Sequence, residues 1–294
     1  AQLAERTGYT RYWIAEHHNM PYLASSATSL LIQRVLDKTS TIRVGSGGVM
    51  LPNHSPFVVA EQYGTLASLS PNRVRAPGTD PATARAIRRH HDDFAMSFPS
   101  DIKELQFYFG NDDSDKVRAY PAKGLNVPLY ILGSSPESAY LAGELGLPYA
   151  FASHFAPRFL VQAVEIYRRE FKPSDVLDKP KVIVGLNAIV ADTDSEAQLL
   201  STTSLQFFLN VVTGERSGMK PPAPDIESRI PPHILSMAKS MTACSVIGSP
   251  QTVKAQLEQL QSQVNADEFM AVSYIYDKDK QARSYELLAD VAKG

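Results

Sequence analysis

The chain contains a single cysteine, Cys244, among 294 residues. One thiol excludes an intrachain disulfide and any metal site built on several cysteines, and it fits a reducing, cytoplasmic compartment. Net charge is nearly absent as well. Lys plus Arg total 29 against 31 Asp plus Glu, which gives -2 and a pI of about 6.4. That balance predicts neither a nucleic-acid partner nor an anionic membrane partner. No apolar run approaches the roughly 20 residues that span a bilayer, and no signal peptide is visible. A GxGxxG fingerprint opening a helix is missing, which weakens a dinucleotide-binding Rossmann fold. So is an initiator Met. "AQLAERTGYT" reads as the second half of an amphipathic helix followed by a turn, which implies residues before Ala1.

What is present is an ordinary globular composition, 44% hydrophobic and 20% charged. It has ample length for a sizeable core, as one large α/β domain or two smaller ones. Strand-like runs occur at Thr10–Ala15, Thr41–Leu51, Val127–Gly133, Pro148–Ala152, Lys181–Ala191 and Phe269–Ile275. Helical spacing occurs at Leu30–Lys38, Val58–Leu69, Thr83–Arg89, Asp101–Phe109, Ser138–Leu145, Pro157–Phe171, Asp194–Leu209 and Pro250–Val264. A closing helix follows the last strand. Alternating strands and helices predict a parallel sheet, either doubly wound or closed into a (β/α)8 barrel. Gly214–Pro232, rich in Pro and polar residues, is the clear irregular insertion, long enough for a mobile lid or a disordered loop.

Four stretches carry candidate chemistry. "WIAEHH" (Trp13–His18) ends an apolar run in Glu16, His17 and His18. A strand interior cannot hold three polar groups cheaply, whereas its C-terminal edge in an α/β barrel is the functional rim. A solvated loop explains the same residues. Adjacent histidines on an extended segment point to opposite sides, so no metal site is expected from them. "GSGGVMLPNHSP" (Gly45–Pro56) places paired glycines in a β-rich run. They mark either a strand break or a close approach of something flat to the backbone. "LGSSPES" (Leu132–Ser138) is a helix start with Ser135 as N-cap and Pro136 in the first turn. Its free N–H groups and hydroxyls could hold a phosphate, or serve only as a cap. "RAPGTD" (Arg75–Asp80) offers an arginine fork for phosphate, or a surface charge.

Taken in order, these stretches resemble the bacterial luciferase-like flavin monooxygenases. The runs that carry the resemblance are "YWIAEHHNM", "GSGGVMLPNHSPFVVAEQYGTLASLSPNR", "RAPGTD", "NVPLYILGSSPESAYLAGELGLPYAFASHF" and "SVIGSPQTV". They cover nearly the whole chain and look closest to the non-luminescent branch. The resemblance implies one TIM-barrel domain over residues 1–294, with the insertion at about 214–232. It implies reduced FMN, supplied by a separate flavin reductase, that reacts with O2 to a C4a-peroxyflavin and oxidises an unknown small organic substrate. By the same resemblance His17 is the active-site histidine near the flavin ring. Gly47 and Gly48 form the bulge against that ring, often through a non-prolyl cis peptide. Arg75, Ser134, Ser135 and Ser138 contact the phosphate, and a homodimer through N-terminal helices is implied. The insertion, Tyr22 and Phe155 would shape the substrate site.

The sequence departs from the family pattern in two places. The family has a barrel strand before the first helix, and a short strand of the form "DLGLG" between "NRV" and "RAPGTD". Here Val74 runs straight into Arg75. The expected barrel therefore lacks strands 1 and 4 and exposes unpaired edges. A non-catalytic flavin-binding barrel is the alternative this raises. A metal-dependent barrel hydrolase using His17 and His18 is a third reading, for which further ligands are not visible.

Overall fold

A computed structural model describes residues 1–77 and 94–293. Eight strands occur among them, all in parallel pairs, and they alternate with helices. The chain divides into two compact units. The first comprises 1–133, 144–148 and 173–178; the second comprises 134–143, 149–172 and 179–294.

In the first unit, strand β1 (Arg11–Ile14) follows helix α1 (Gln2–Thr7) and pairs with β2 (Arg43–Ser46), Ile14 opposite Ser46. Between them runs α2 (Thr28–Lys38), which buries Ile32 and Leu36. Helix α3 (Pro56–Leu69) begins with Pro56 in its first turn, where the missing N–H costs nothing. Gly64 on that helix lies against the backbone of Ala122. A Cβ added there would stand 2.4 Å from Ala122 Cα, so only glycine permits this approach. Glu5 of α1 accepts the N–H groups of Ser40, Thr41 and Ile42 and the Thr41 hydroxyl, fixing the turn that leads into β2. These donors hold its carboxyl at about 2, the Thr41 and Ile42 amides contributing most.

Of the two strands expected to be lacking, the one after β2 is present as β3 (Val74–Pro77), while α1 is still the first element, with no strand before it among the described residues. β3 pairs with Val44 and Gly45 on one side and with Leu129 and Tyr130 of β4 (Leu129–Gly133) on the other. The residues that should follow a strand have become one. Arg73 secures the start of β3 by donating to the carbonyls of Leu36, Thr39 and Ile42 and to the Thr39 hydroxyl. Helix α4 (Phe94–Phe109) begins earlier than its apolar spacing suggests, and the expected helix at Thr83–Arg89 lies outside the described residues.

The second unit is built on β6 (Val182–Val190), whose nine residues are all buried. Its near-continuous apolar run is what burial on both faces requires. Its first half pairs with β5 (Tyr149–Phe151) and β8 (Glu268–Val272), its second half with β7 (Ser245–Gly248). β7 is the other strand that sequence spacing does not predict. Helices α5 (Pro136–Leu145), α6 (Leu160–Glu170), α7 (Asp194–Thr213), α8 (Pro232–Met241), α9 (Pro250–Val264) and α10 (Lys278–Lys293) complete the order. Thr193 caps α7 by accepting the N–H of Glu196.

The Pro-rich insertion lacks regular structure up to a short 3-10 turn at Ile226–Arg229. It is fastened along α7 rather than standing free as a lid. Thr203 donates to Lys220 O, Gln206 to Pro221 O and Asn210 to Ser217 Oγ, while Ala223 N–H donates to Thr202 Oγ1. Ile226 and Ile230 pack on the Leu205, Phe208 and Leu209 cluster. Among the described residues, no helix is long and apolar enough to cross a membrane.

Candidate active site

Two segments of the first unit, the end of β1 and the stretch after β2, meet at Glu16. The carboxylate is 5% exposed. Its Oε1 accepts from His18 Nε2 at 2.7 Å and from His54 Nε2 at 2.6 Å, and its Oε2 accepts the Met50 N–H at 3.3 Å. Burial alone would raise its pKa. The hydrogen bonds from His54, His18 and Met50, with the His54 charge, outweigh burial and lower it, so the group stays ionised. Glu16, His18 and His54 are also the one group of three potential metal ligands among the described residues.

His17 stands between these anchored neighbours and is itself exposed. Its main chain is held on both sides. The His17 N–H donates to Ser25 O at 3.3 Å, and Ser26 Oγ donates to His17 O at 3.1 Å. Thr28 Oγ1 donates to Ala15 O just upstream. The segment is thus a fixed strand end that presents an imidazole, not a free loop.

The glycine pair lies beside it. The Gly47 N–H donates to Ile14 O at 2.8 Å, and the Gly47–Gly48 peptide is cis. A Cβ at Gly47 would stand 3.0 Å from Trp13 Cβ and 3.2 Å from its Cε3, so the indole packs on the bulge. Trp13 Nε1 is buried without a hydrogen-bond partner among the described residues. Trp13 in turn meets Tyr130 edge-to-face at 5.5 Å, with the buried Arg11 guanidinium over both rings.

Arg75 is not brought to this rim. It sits opposite Gly45, and its Nη1 donates to Val74 O at 2.7 Å and Asn72 O at 3.4 Å, towards the start of its own strand. Burial lowers its pKa, opposed by Tyr130 and assisted by Arg43 and Arg11. The short connection explains the placement. With Val74 leading straight into it, Arg75 falls inside β3 instead of after it.

In the second unit the predicted helix start is in place. Pro136 opens α5, Ser138 Oγ donates to Ser135 O at 2.6 Å, and Tyr149 OH lies 2.9 Å from Ser138 Oγ and 3.3 Å from Ser135 O. Tyr149 is fully buried, so this contact fixes the Ser134–Ser138 turn against β5. Glu137 is held low chiefly by the Ser135 hydroxyl. Tyr22 and Phe155 are both exposed, Tyr22 in the first unit and Phe155 in the second.

Sequence reasoning overlooked His54. It lies within the glycine-pair segment, but nothing in "LPNHSP" alone says that its ring turns back to Glu16.

The bacterial luciferase-like monooxygenase model matches residues 1–76 and 104–265, and the chain belongs to that family, in its non-luminescent branch. The chain is 44% identical over 297 residues to the "Luciferase-like monooxygenase" of Escherichia coli (strain K12), covering 99% of this chain and 89% of the relative. It is 47% identical over 300 residues to the uncharacterized protein YvbT of Bacillus subtilis (strain 168), covering 100% and 89%. The crystal structure of apo-MsnO8 superposes with a TM-score of 0.90 at 33% identity, covering 99% of this chain and 90% of that one. The fold is therefore the parallel eight-stranded α/β barrel of the luciferase-like type. The protein is a flavin-dependent oxidoreductase of the monooxygenase class, acting on a small organic substrate.

Proposed function

We propose that this chain is the oxygenating component of a two-component system, in which a separate flavin reductase supplies reduced FMN. The observation that carries the reading is the Gly47 N–H to Ile14 O bond. It sets a cis glycine pair, backed by Trp13, beside the strand end that presents His17. At Gly47 the missing Cβ is what lets the Trp13 indole back the pair, and the reading has a flat ring lie against that backbone.

Each unit, taken by itself, carries a donor set of a kind that FMN needs. In the first unit the glycine pair offers backbone to a ring, and Trp13 Nε1 is an unpaired buried donor behind it. In the second unit the Ser134–Ser138 helix start offers N–H groups and hydroxyls of the kind that hold a phosphate. Arg75 donates to the carbonyls of Val74 and Asn72, so the reading leaves the phosphate to that helix start. When bound, reduced FMN supplies the two electrons that activate O2. The chain's own share is to bind and orient the ring, exclude water, and hold or move a proton at a His17 ring nitrogen.

A homodimer belongs to the same reading. Leu30 on α2 and Val58 and Leu69 on α3 are 71%, 45% and 64% exposed, an apolar set that a second copy would cover.

The test is a titration of the full chain with oxidised and with photoreduced FMN, followed by O2 consumption across aldehydes, ketones and thioethers. Flavin binding with product formation is expected. Binding without any product across the panel would favour a non-catalytic flavin carrier, and binding of neither redox state would defeat the reading.

A further inference from the structure

Glu16 does more than sit next to His17 in the chain. One of its oxygens accepts from His18, on its own strand end, and from His54, on the segment that follows the glycine pair. The other accepts the Met50 N–H, two residues beyond Gly48. The glycine segment is thus held at two places, Met50 and His54, by a single carboxylate. The carboxylate belongs to the residue immediately before His17.

The geometry is that of a hydrogen-bonded anchor. Both imidazole contacts are short hydrogen bonds to a carboxylate, and an ionised carboxylate can only accept. A cavity of about 280 Å³ adjoins the carboxylate, lined by Glu16, Thr28, Val49, His54 and Tyr63 among others. That space gives the 47–54 segment room to shift once the carboxylate no longer holds it.

We propose that Glu16 is the positioning residue of the site, holding the His17 strand end and the Gly47–Gly48 segment in one fixed relation through His18, His54 and Met50. The proposal rests on the flavin reading above. It predicts that His17 and the glycine pair move as one body relative to any ring they contact. Loss of the anchor would separate them without touching the Ser134–Ser138 turn.

The test compares the full chain with Glu16→Gln, and with His54→Gln as a milder variant that removes one arm only. Gln preserves the volume but removes the charge, and it faces the Met50 N–H with either a weaker acceptor or a competing donor. Amide hydrogen exchange should rise in both 15–18 and 47–54 in E16Q, on the order of tenfold, while 40–42, held by Glu5, stays unchanged. FMN affinity should stay within about twofold. The release of hydrogen peroxide from bound photoreduced FMN in air should rise on the order of tenfold, as misplacement of this kind admits water. In H54Q, exchange should rise in 47–54 alone.

Wild-type exchange at both segments in E16Q would overturn the proposal. Loosened segments with wild-type peroxide release would reduce Glu16 to a stabilising contact and overturn it equally. One divalent metal per chain in the purified protein, lost in E16Q, would make Glu16 a ligand instead. A wild-type chain that takes up no FMN would defeat the flavin reading, and the exchange data would then decide alone whether Glu16 joins the two segments.

Discussion

Glu16 and His54 are 38 residues apart in sequence and 2.6 Å apart in space. The contact joins a strand end to the segment that precedes α3, and His17 is the residue next to Glu16. This places the candidate imidazole on rigid support, which proton transfer at a defined atom requires.

His17→Ala should therefore separate binding from turnover. FMN affinity should change little, while oxidation of substrate falls by roughly 10²–10⁴-fold, the usual contribution of a placed acid or base. Product formation per flavin oxidised checks it. Unchanged turnover would remove His17 from the chemistry.

The Ser138→Ala variant tests the phosphate end. Ser138 Oγ bonds Ser135 O and meets Tyr149 OH, so it shapes the turn. Its loss should weaken FMN by roughly 5–10-fold, corresponding to about 1 kcal/mol for one hydrogen bond. Riboflavin, which has no phosphate, should bind both proteins equally. An equal loss for both flavins would move the phosphate elsewhere.

Gly64→Ala should destabilise without affecting FMN affinity. The added Cβ would come within 2.4–2.6 Å of Ala122, with only backbone and a methyl to yield. Overpacking of this kind costs about 1–3 kcal/mol. Chemical denaturation should show a lower midpoint with the same slope, and an unchanged midpoint would mean that the two segments part freely.

The acid limb of stability should carry the signature of Glu5. Its carboxyl lies at about 2 in the folded chain, against the ordinary 4.5. A depressed folded pKa gives stability that is present in full above the unfolded value and is lost as pH falls towards the folded one. The difference in Tm between the wild type and Glu5→Gln should hence be constant near neutrality and shrink between about pH 4.5 and 2. A difference independent of pH in that window would contradict the assignment.

The sequence made the α/β alternation legible because most strands sit within apolar runs, the longest being β6 over Val182–Val190. It concealed β3 and β7, which span four residues each and alternate burial or lie among charged neighbours. A four-residue strand has too little periodicity of its own to separate from a turn, and β1 and β2, equally short, were legible only through the longer runs around them. At the site, the glycine pair and the double histidine were visible as residue types. The clasp between Glu16 and His54 was not, because a contact across 38 residues depends on the fold and not on local pattern. Arg75 was recognisable as a motif residue, yet the shortened connection decided where its guanidinium went.

That shortened connection says something about how such sheets accept change. The place between β2 and β4 is defined by the unpaired edges of those two strands, and whichever residues pass through it are recruited. "VRAP" is poor strand material by composition, with a proline at its end, yet it fills the gap. A deletion in such a protein need not delete a strand. A loop residue such as Arg75 can then stand inside a strand, opposite Gly45, with its guanidinium on main-chain carbonyls.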